Sequence, residues 1–127
     1  MTVADTDVLI DYLAGKGEAE AVEFWLQRGA LRTTVITRFE LLSGASAPKQ
    51  KARIIQLLEA IPSLVLDDNA ADAASEIRRS LEQAGSSIGM ADSLVAGIVT
   101  SAGGAMLTRN RKHFERVPGL RLAETRG

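Results

Sequence analysis

Cysteine is absent from this chain of 127 residues, and histidine occurs once, at His113. Without thiols there is no thiolate nucleophile, no iron–sulfur cluster, no cysteine zinc site and no disulfide framework, and such a chain suits a reducing compartment. A single imidazole rules out a multi-histidine metal site and makes any Ser-His-Asp arrangement depend on that one ring. Charge of one sign is also lacking: 15 Lys and Arg face 16 Asp and Glu, for a formal net charge of −1. A nucleic-acid partner would have to be held by a local basic patch, because the global field would not attract it. Long apolar runs are missing too. The longest uncharged stretch, Ser93 to Thr108, falls short of the ~20 residues a membrane span requires and is broken by Gly97, Gly103 and Gly104. The first residues carry Asp5, Asp7 and Asp11 and no basic stretch, the opposite of a secretory signal, so a cytoplasmic protein without membrane association is expected.

What the chain does have is alternation. At this length about two thirds of the unfolded surface can be buried, so one domain over residues 1–127 is expected to fold without a staple. Thr2 to Ala4 reads as a buried strand, and Val8 to Leu13 as an apolar helical face stopped by Gly15 and Gly17. Glu18 to Arg28 is a second helix and Leu31 to Ile36 a second strand. Thr37-Arg38-Phe39-Glu40 has the spacing of a capping box opening a helix that closes near Gly44. A longer helix, with Pro48 in its first turn, carries Ile54, Ile55, Leu57, Leu58 and Ile61 up to Pro62, and Ser63 to Leu66 is the third strand. From Asp68 the positions Ala70, Ala73, Ala74, Ile77, Leu81 and Ala84 keep helical period until Gly85. A helix of small residues at Gly89–Ser101, a strand at Ala105–Leu107, a helical turn at Asn110–Glu115 and a strand at Leu120–Leu122 complete the pattern. Strands separated by helices predict an α/β fold, with a parallel sheet covered on both faces.

In such sheets ligands bind beyond the carboxyl ends of the strands. Asp5, Thr6 and Asp7 follow the first strand, Glu40 sits on the helix after the second, and Thr108, Arg109 and Asn110 follow the fourth; Asp92 opens the helix before it. Several carboxylates at one edge repel one another unless a cation sits among them. Oxygen donors of this kind suit Mg²⁺ or Mn²⁺, the arrangement of metal-assisted phosphodiester hydrolysis. Each acid also has a plainer reading. Asp7 is a helix-start acid favoured by the macrodipole, Glu40 satisfies the capping box, and Asp92 too can serve a helix start. Asp5 is needed by no cap if Thr6 or Asp7 supplies one, while Asp67, Asp68 and Asp72 are read as helix-start and surface acids. The basic run Arg109 to Arg116 suits phosphate contacts, and His113 is given no role as a base.

Four blocks of residues, in order, resemble the PIN-domain ribonucleases and in particular the toxins of VapBC-type toxin–antitoxin modules. They are Val3-Ala4-Asp5-Thr6-Asp7-Val8-Leu9-Ile10-Asp11; Thr34 to Gly44 around Glu40; Gly85 to Gly97 around Asp92; and Leu107 to Phe114 followed by Val117-Pro118-Gly119-Leu120. The similarity runs from Val3 to about Leu122. It implies a three-layer α/β/α sandwich with four to five parallel strands, an Mg²⁺- or Mn²⁺-dependent endoribonuclease, an RNA substrate, a VapB-type antitoxin and a homodimer. On this reading Asp5 and Asp92 are the main metal ligands, and Glu40 is a further ligand or positions the attacking water. Asn110 with Thr108 forms a hydrogen-bonding fourth corner, and Thr108, Arg109, Arg111 and Lys112 contact substrate. Many relatives carry an acid where Asn110 stands, which favours one tightly held ion over two. The two N-terminal helices hold Leu9, Tyr12, Leu13, Val22, Phe24, Trp25 and Leu26, more apolar bulk than they can readily bury. Trp25, with Leu9 and Tyr12, is therefore expected to line an antitoxin groove. Two rivals share the early acids. A haloacid-dehalogenase-type phosphatase would use Asp5 and Asp7 as nucleophile and acid, and a receiver domain would place a phospho-acceptor at Asp67 or Asp68.

Overall fold

Short segments rich in β-branched, small or apolar residues form five parallel strands: β1 (Thr2–Ala4), β2 (Leu31–Thr34), β3 (Ser63–Leu64), β4 (Ala105–Leu107) and β5 (Arg121–Leu122). The computed structural model describes residues 1–124. The strands pair in the order β3-β2-β1-β4-β5, with Val3 opposite Arg32 on one side and Met106 on the other. Helices connect them: α1 (Thr6–Ala14), α2 (Ala19–Gln27), α3 (Val35–Gly44), α4 (Pro48–Ala60), α5 (Asp68–Gln83), α6 (Met90–Ala102) and the single turn α7 (Arg111–Phe114).

Alternation along the strands divides the core between the two faces. Ala4 and Leu107 join Val8, Leu9, Val22, Leu41, Ile54, Leu58 and Ile61 on one side; Val3 and Met106 join Ile77, Leu81, Val95, Val99 and Phe114 on the other. This is the three-layer α/β/α sandwich with five strands. A receiver domain's order would be 2-1-3-4-5, which the observed order excludes, and Asp67 is occupied in capping α5 through the Ala70 amide at 2.9 Å. Thr108, Arg109 and Asn110 follow β4, where a haloacid-dehalogenase-type site requires a pair of acids.

Two local expectations change. The β2 strand stops at Thr34, whose hydroxyl accepts the Thr37 amide at 3.2 Å and caps α3. The helix thus begins earlier than the Thr37 spacing suggested, Thr37 lies buried within its first turn, and Glu40 is free of capping duty. The β3 strand ends at Leu64, two residues early, because it is an edge strand and Val65 and Leu66 turn outward into solvent. At Gly97 the α5 and α6 backbones come so close that a Cβ would lie 2.6 Å from the Ala70 carbonyl oxygen. That contact fixes α6, and with it the height of Asp92 above the sheet.

Candidate active site

The chain reverses its direction of travel across the sheet between β1 and β4, and the crevice beyond their carboxyl ends is the natural ligand position. A cavity of about 130 Å³ opens there, lined by Asp5, Thr6, Asp7, Thr37, Glu40, Asp92, Val95 and Met106. Each acid arrives from a different piece of backbone. Asp5 is the N-cap of α1, accepting the Val8 amide at 3.3 Å, and it takes the Thr108 hydroxyl at 2.5 Å on its other oxygen. Thr108 is in turn held by the Asn110 amide at 3.0 Å, so the β4–α7 loop is laced to the end of β1. Glu40 accepts from the Thr6 hydroxyl at 2.6 Å, and Thr6 also lies 3.1 Å from the Thr37 hydroxyl. Asp92 stands in the first turn of α6 with His113 Nδ1 at 3.3 Å from its Oδ2.

The electrostatics of the cavity are unbalanced. Burial, then the neighbouring charges of Asp7 and Asp92, push the Asp5 carboxyl up to about 6, against the opposing pull of its two hydrogen bonds. Asp92 is also raised, chiefly by burial and further by Glu40 and Asp7, with His113 pulling the other way. Among the described residues no Lys or Arg pairs with Asp5, Glu40 or Asp92. The carboxylates line one cavity, yet no three of the described acids and histidines converge tightly enough to chelate an ion alone. An all-oxygen donor set with room left for water fits Mg²⁺ or Mn²⁺, since Mg²⁺ uses one or two carboxylates and keeps several waters. It does not fit a structural zinc site, which needs four close ligands.

The structure brings Asp5, Glu40 and Asp92 together with Thr6 and Asp7, both named among the polar residues after the first strand, and it adds Thr37, which the sequence had placed only in a capping box. Asp7 looked like a helix-start acid because it is one; it is also rotated toward the cavity. Thr37 could have been found from the spacing Thr34-x-x-Thr37-x-x-Glu40, which puts the cap, the hydroxyl and the acid on successive turns of one helix face. Asn110 does not line the cavity. Its amide lies 2.7 Å from His113 Nδ1, so it reaches Asp92 only through that ring, and His113 gains a place the sequence gave no reason to assign.

The expected substrate contacts divide. Lys112 is exposed, whereas Arg111 donates to the Ala123 carbonyl oxygen at 2.8 Å. Arg109 lies 3.5 Å from Asp11, which is almost wholly buried, and 4.0 Å from Asp7, so it too is engaged within the fold. The antitoxin groove needs correction as well. Leu9 and Val22 are completely buried, because both face the sheet, and cannot meet a partner. Trp25 is half-buried against the same core with its indole N–H donating to the Glu124 carbonyl oxygen at 3.3 Å, and Tyr12 donates to Glu23 at 2.8 Å. An apolar groove of about 290 Å³ runs between α1, α3 and α4, lined by Ile10, Leu13, Leu41 and Ile54 among others, and it shares Glu40 with the acidic cavity.

Comparison with known proteins is consistent with this architecture. The PIN domain family model matches residues 2–120. A tRNA(fMet)-specific endonuclease VapC of Shigella flexneri is 33% identical over 124 residues, covering 94% of both chains. Ribonuclease VapC1 of Methanocaldococcus jannaschii is 30% identical over 122 residues, covering 94% of this chain and 85% of its own. Among solved structures, DNA-bound VapBC from Salmonella typhimurium superposes with a TM-score of 0.80 at 26% identity, covering 98% of this chain and 97% of that one.

Proposed function

This chain belongs to the PIN domain family, and from that premise we propose that it is a divalent-metal-dependent endoribonuclease, the toxin of a toxin–antitoxin pair. The observation that supports the reading most is the cavity itself: Asp5, Glu40 and Asp92, from three separate helices, share one water-accessible pocket in which, among the described residues, no basic side chain balances Asp5 or Glu40. Asp5 and Asp92 would hold Mg²⁺ or Mn²⁺, with Glu40 as a further ligand or as the group that orients water. The ion, when bound, supplies an activated water and neutralises charge developing on the phosphate.

The chain's own groups do the rest. Thr108 and the Val8 amide fix the Asp5 carboxyl in one orientation, and Thr6 does the same for Glu40 from across the cavity. His113 stands beside Asp92, its Nδ1 within 3.3 Å of the carboxyl and 2.7 Å of the Asn110 side-chain amide, so Asn110 and Asp92 share one ring nitrogen. One ion is the expected complement, because Asn110, where many relatives carry an acid, stands outside the cavity. Lys112 and Arg116 are left as the exposed basic side chains of the Arg109 to Arg116 run to meet phosphate. Initiator tRNA is the first substrate to test, given the name of the Shigella relative.

The partner is a VapB-type antitoxin, and its site is the groove beside Ile10, Leu13 and Ile54, in place of the surface around Trp25. An apolar segment lying there would carry a basic side chain to Glu40 at the groove's end, where pairing with the carboxylates would displace metal. The protein acts in the cytoplasm and as a homodimer; among the described residues no helix is long and apolar enough to cross a membrane. The decisive assay is incubation of the purified chain with total RNA and with initiator tRNA. Discrete cleavage in Mg²⁺ or Mn²⁺, weak cleavage in Ca²⁺ and none in excess chelator support the reading. Undiminished cleavage in chelator contradicts it.

A further inference from the structure

Two large apolar side chains stand in water beside the acidic cavity. Phe39 is 69% exposed and Met90 65%, the highest values among the exposed large hydrophobics. Phe39 directly precedes Glu40 on α3, and Met90 precedes Asp92 by two residues at the start of α6; both acids line the cavity, and α3 packs against α6. Neither side chain lines the cavity itself; the backbone of each lies within two residues of an acid that does, which keeps Phe39, one residue from Glu40, within reach of a strand threaded past the site.

Packing does not explain Phe39. Its ring belongs to neither core cluster, and an aromatic face left in water gains nothing for the fold. Its neighbour Arg38 is exposed and, among the described residues, forms no ion pair. Arg38, Phe39 and Glu40 therefore present a cation, a ring and a carboxylate at consecutive exposed positions.

Long-range attraction cannot bring RNA here. The formal charge is −1, and the pocket that would receive the phosphate is lined by four acids. Affinity has to come from contacts indifferent to that field, and base stacking on an aromatic face is such a contact, reinforced by a nearby cation. We propose that Phe39 is the stacking platform for an unpaired base next to the scissile phosphate of single-stranded RNA. Arg38 meets the adjoining phosphate, and Met90 adds apolar surface on the α6 side of the rim. This specificity role rests on the nuclease reading and deepens it, because it makes the substrate an RNA segment whose bases are splayed out of helical stacking.

The test is equilibrium binding of a short single-stranded RNA of mixed sequence, with 2-aminopurine as a stacking reporter, to protein carrying Asp92→Asn to prevent cleavage. Phe39→Ala and Phe39→Leu should each weaken binding roughly tenfold, and Phe39→Trp should restore it. The 2-aminopurine signal should be quenched by the parent and by Phe39→Trp, but not by Phe39→Ala, with the oligomeric state unchanged in light scattering. Parental affinity in Phe39→Ala overturns the proposal, as does parental affinity in Phe39→Leu, which would mean that any apolar side chain serves. A change of oligomeric state in Phe39→Ala also overturns it and assigns the patch to a second copy of the chain. If the unsubstituted chain neither binds nor cleaves any RNA, the nuclease reading itself has failed, and the platform fails with it.

Discussion

Asp5 shows what one residue is asked to do. Its carboxyl is held up at about 6 by burial and by the charges of Asp7 and Asp92, so the metal-free fold gives up this proton less readily than the unfolded chain does. A raised carboxylate contributes stability that is present below its unfolded value of 3.8 and is lost as pH rises through the folded value. The metal-free protein should therefore lose on the order of 2 kcal/mol between pH 4 and pH 7 from this group. Asp5→Asn should abolish that slope in chemical denaturation and leave the protein at pH 7 as stable as the parent or more so. A second residue-scale test concerns Arg109, which sequence reasoning assigned to phosphate. It is the cation beside buried Asp11, whose Oδ2 also takes the Glu18 amide at 3.0 Å. Arg109→Met should cost about 2 kcal/mol of stability by stranding that carboxylate, and adding Asp11→Asn should recover much of the loss. If Arg109→Met is fully stable and only weakens RNA binding, the phosphate assignment stands. At this scale the sequence revealed Asp5, Glu40 and Asp92, but its ground for Asp5 was mistaken: the carboxyl read as needed by no cap is the N-cap of α1, a structural duty it combines with its place in the cavity. Asp7 was named but read as a helix-start acid, which it also is; His113 was hidden, because its partner is 21 positions away in the sequence.

Among elements, local spacing proved ambiguous where two signals overlapped. Thr34 and Thr37 are each three residues before a polar helix residue, and the earlier hydroxyl won because β2 has to end where its pairing with β3 ends at Leu64. The apolar residues of α1 and α2 were legible as a surplus, but their distribution was not. Burial of Leu9 and Val22 depends on which helical face meets the sheet, and the exposed surface emerged at Ile10 and Leu13, beside α4. Ile10→Asp should then weaken binding of the antitoxin encoded beside the gene by about 2 kcal/mol or more, in titration calorimetry, with RNA cleavage retained. Trp25→Ala should act mainly on stability. Equal affinity in Ile10→Asp would remove the groove from the interface. The α5–α6 contact has its own test: Gly97→Ala should destabilise by about 1–3 kcal/mol, because the Ala70 carbonyl and the Ala74 side chain leave no room for a methyl group. An unaffected Gly97→Ala variant would show that the two helices can part freely.

For the whole molecule, alternation of short strands and helices was enough to establish a parallel sheet covered on both faces. The strand order β3-β2-β1-β4-β5 was not legible in the pattern, because periodicity does not say which strands are neighbours. That order is what sets the switch point between β1 and β4 and gathers acids from positions 5, 40 and 92 around one cavity. The central claim is that this cavity is the nuclease centre, and it is tested most directly by the rate of RNA cleavage in Mg²⁺ by the parent, Asp5→Asn and Asp92→Asn proteins, each shown to be folded by circular dichroism. The account predicts a loss of at least about a hundredfold for either substitution, the scale set by removing a group that holds the catalytic ion or its supporting shell. Cleavage at the parental rate by both folded variants would contradict it and place the chemistry elsewhere on the molecule.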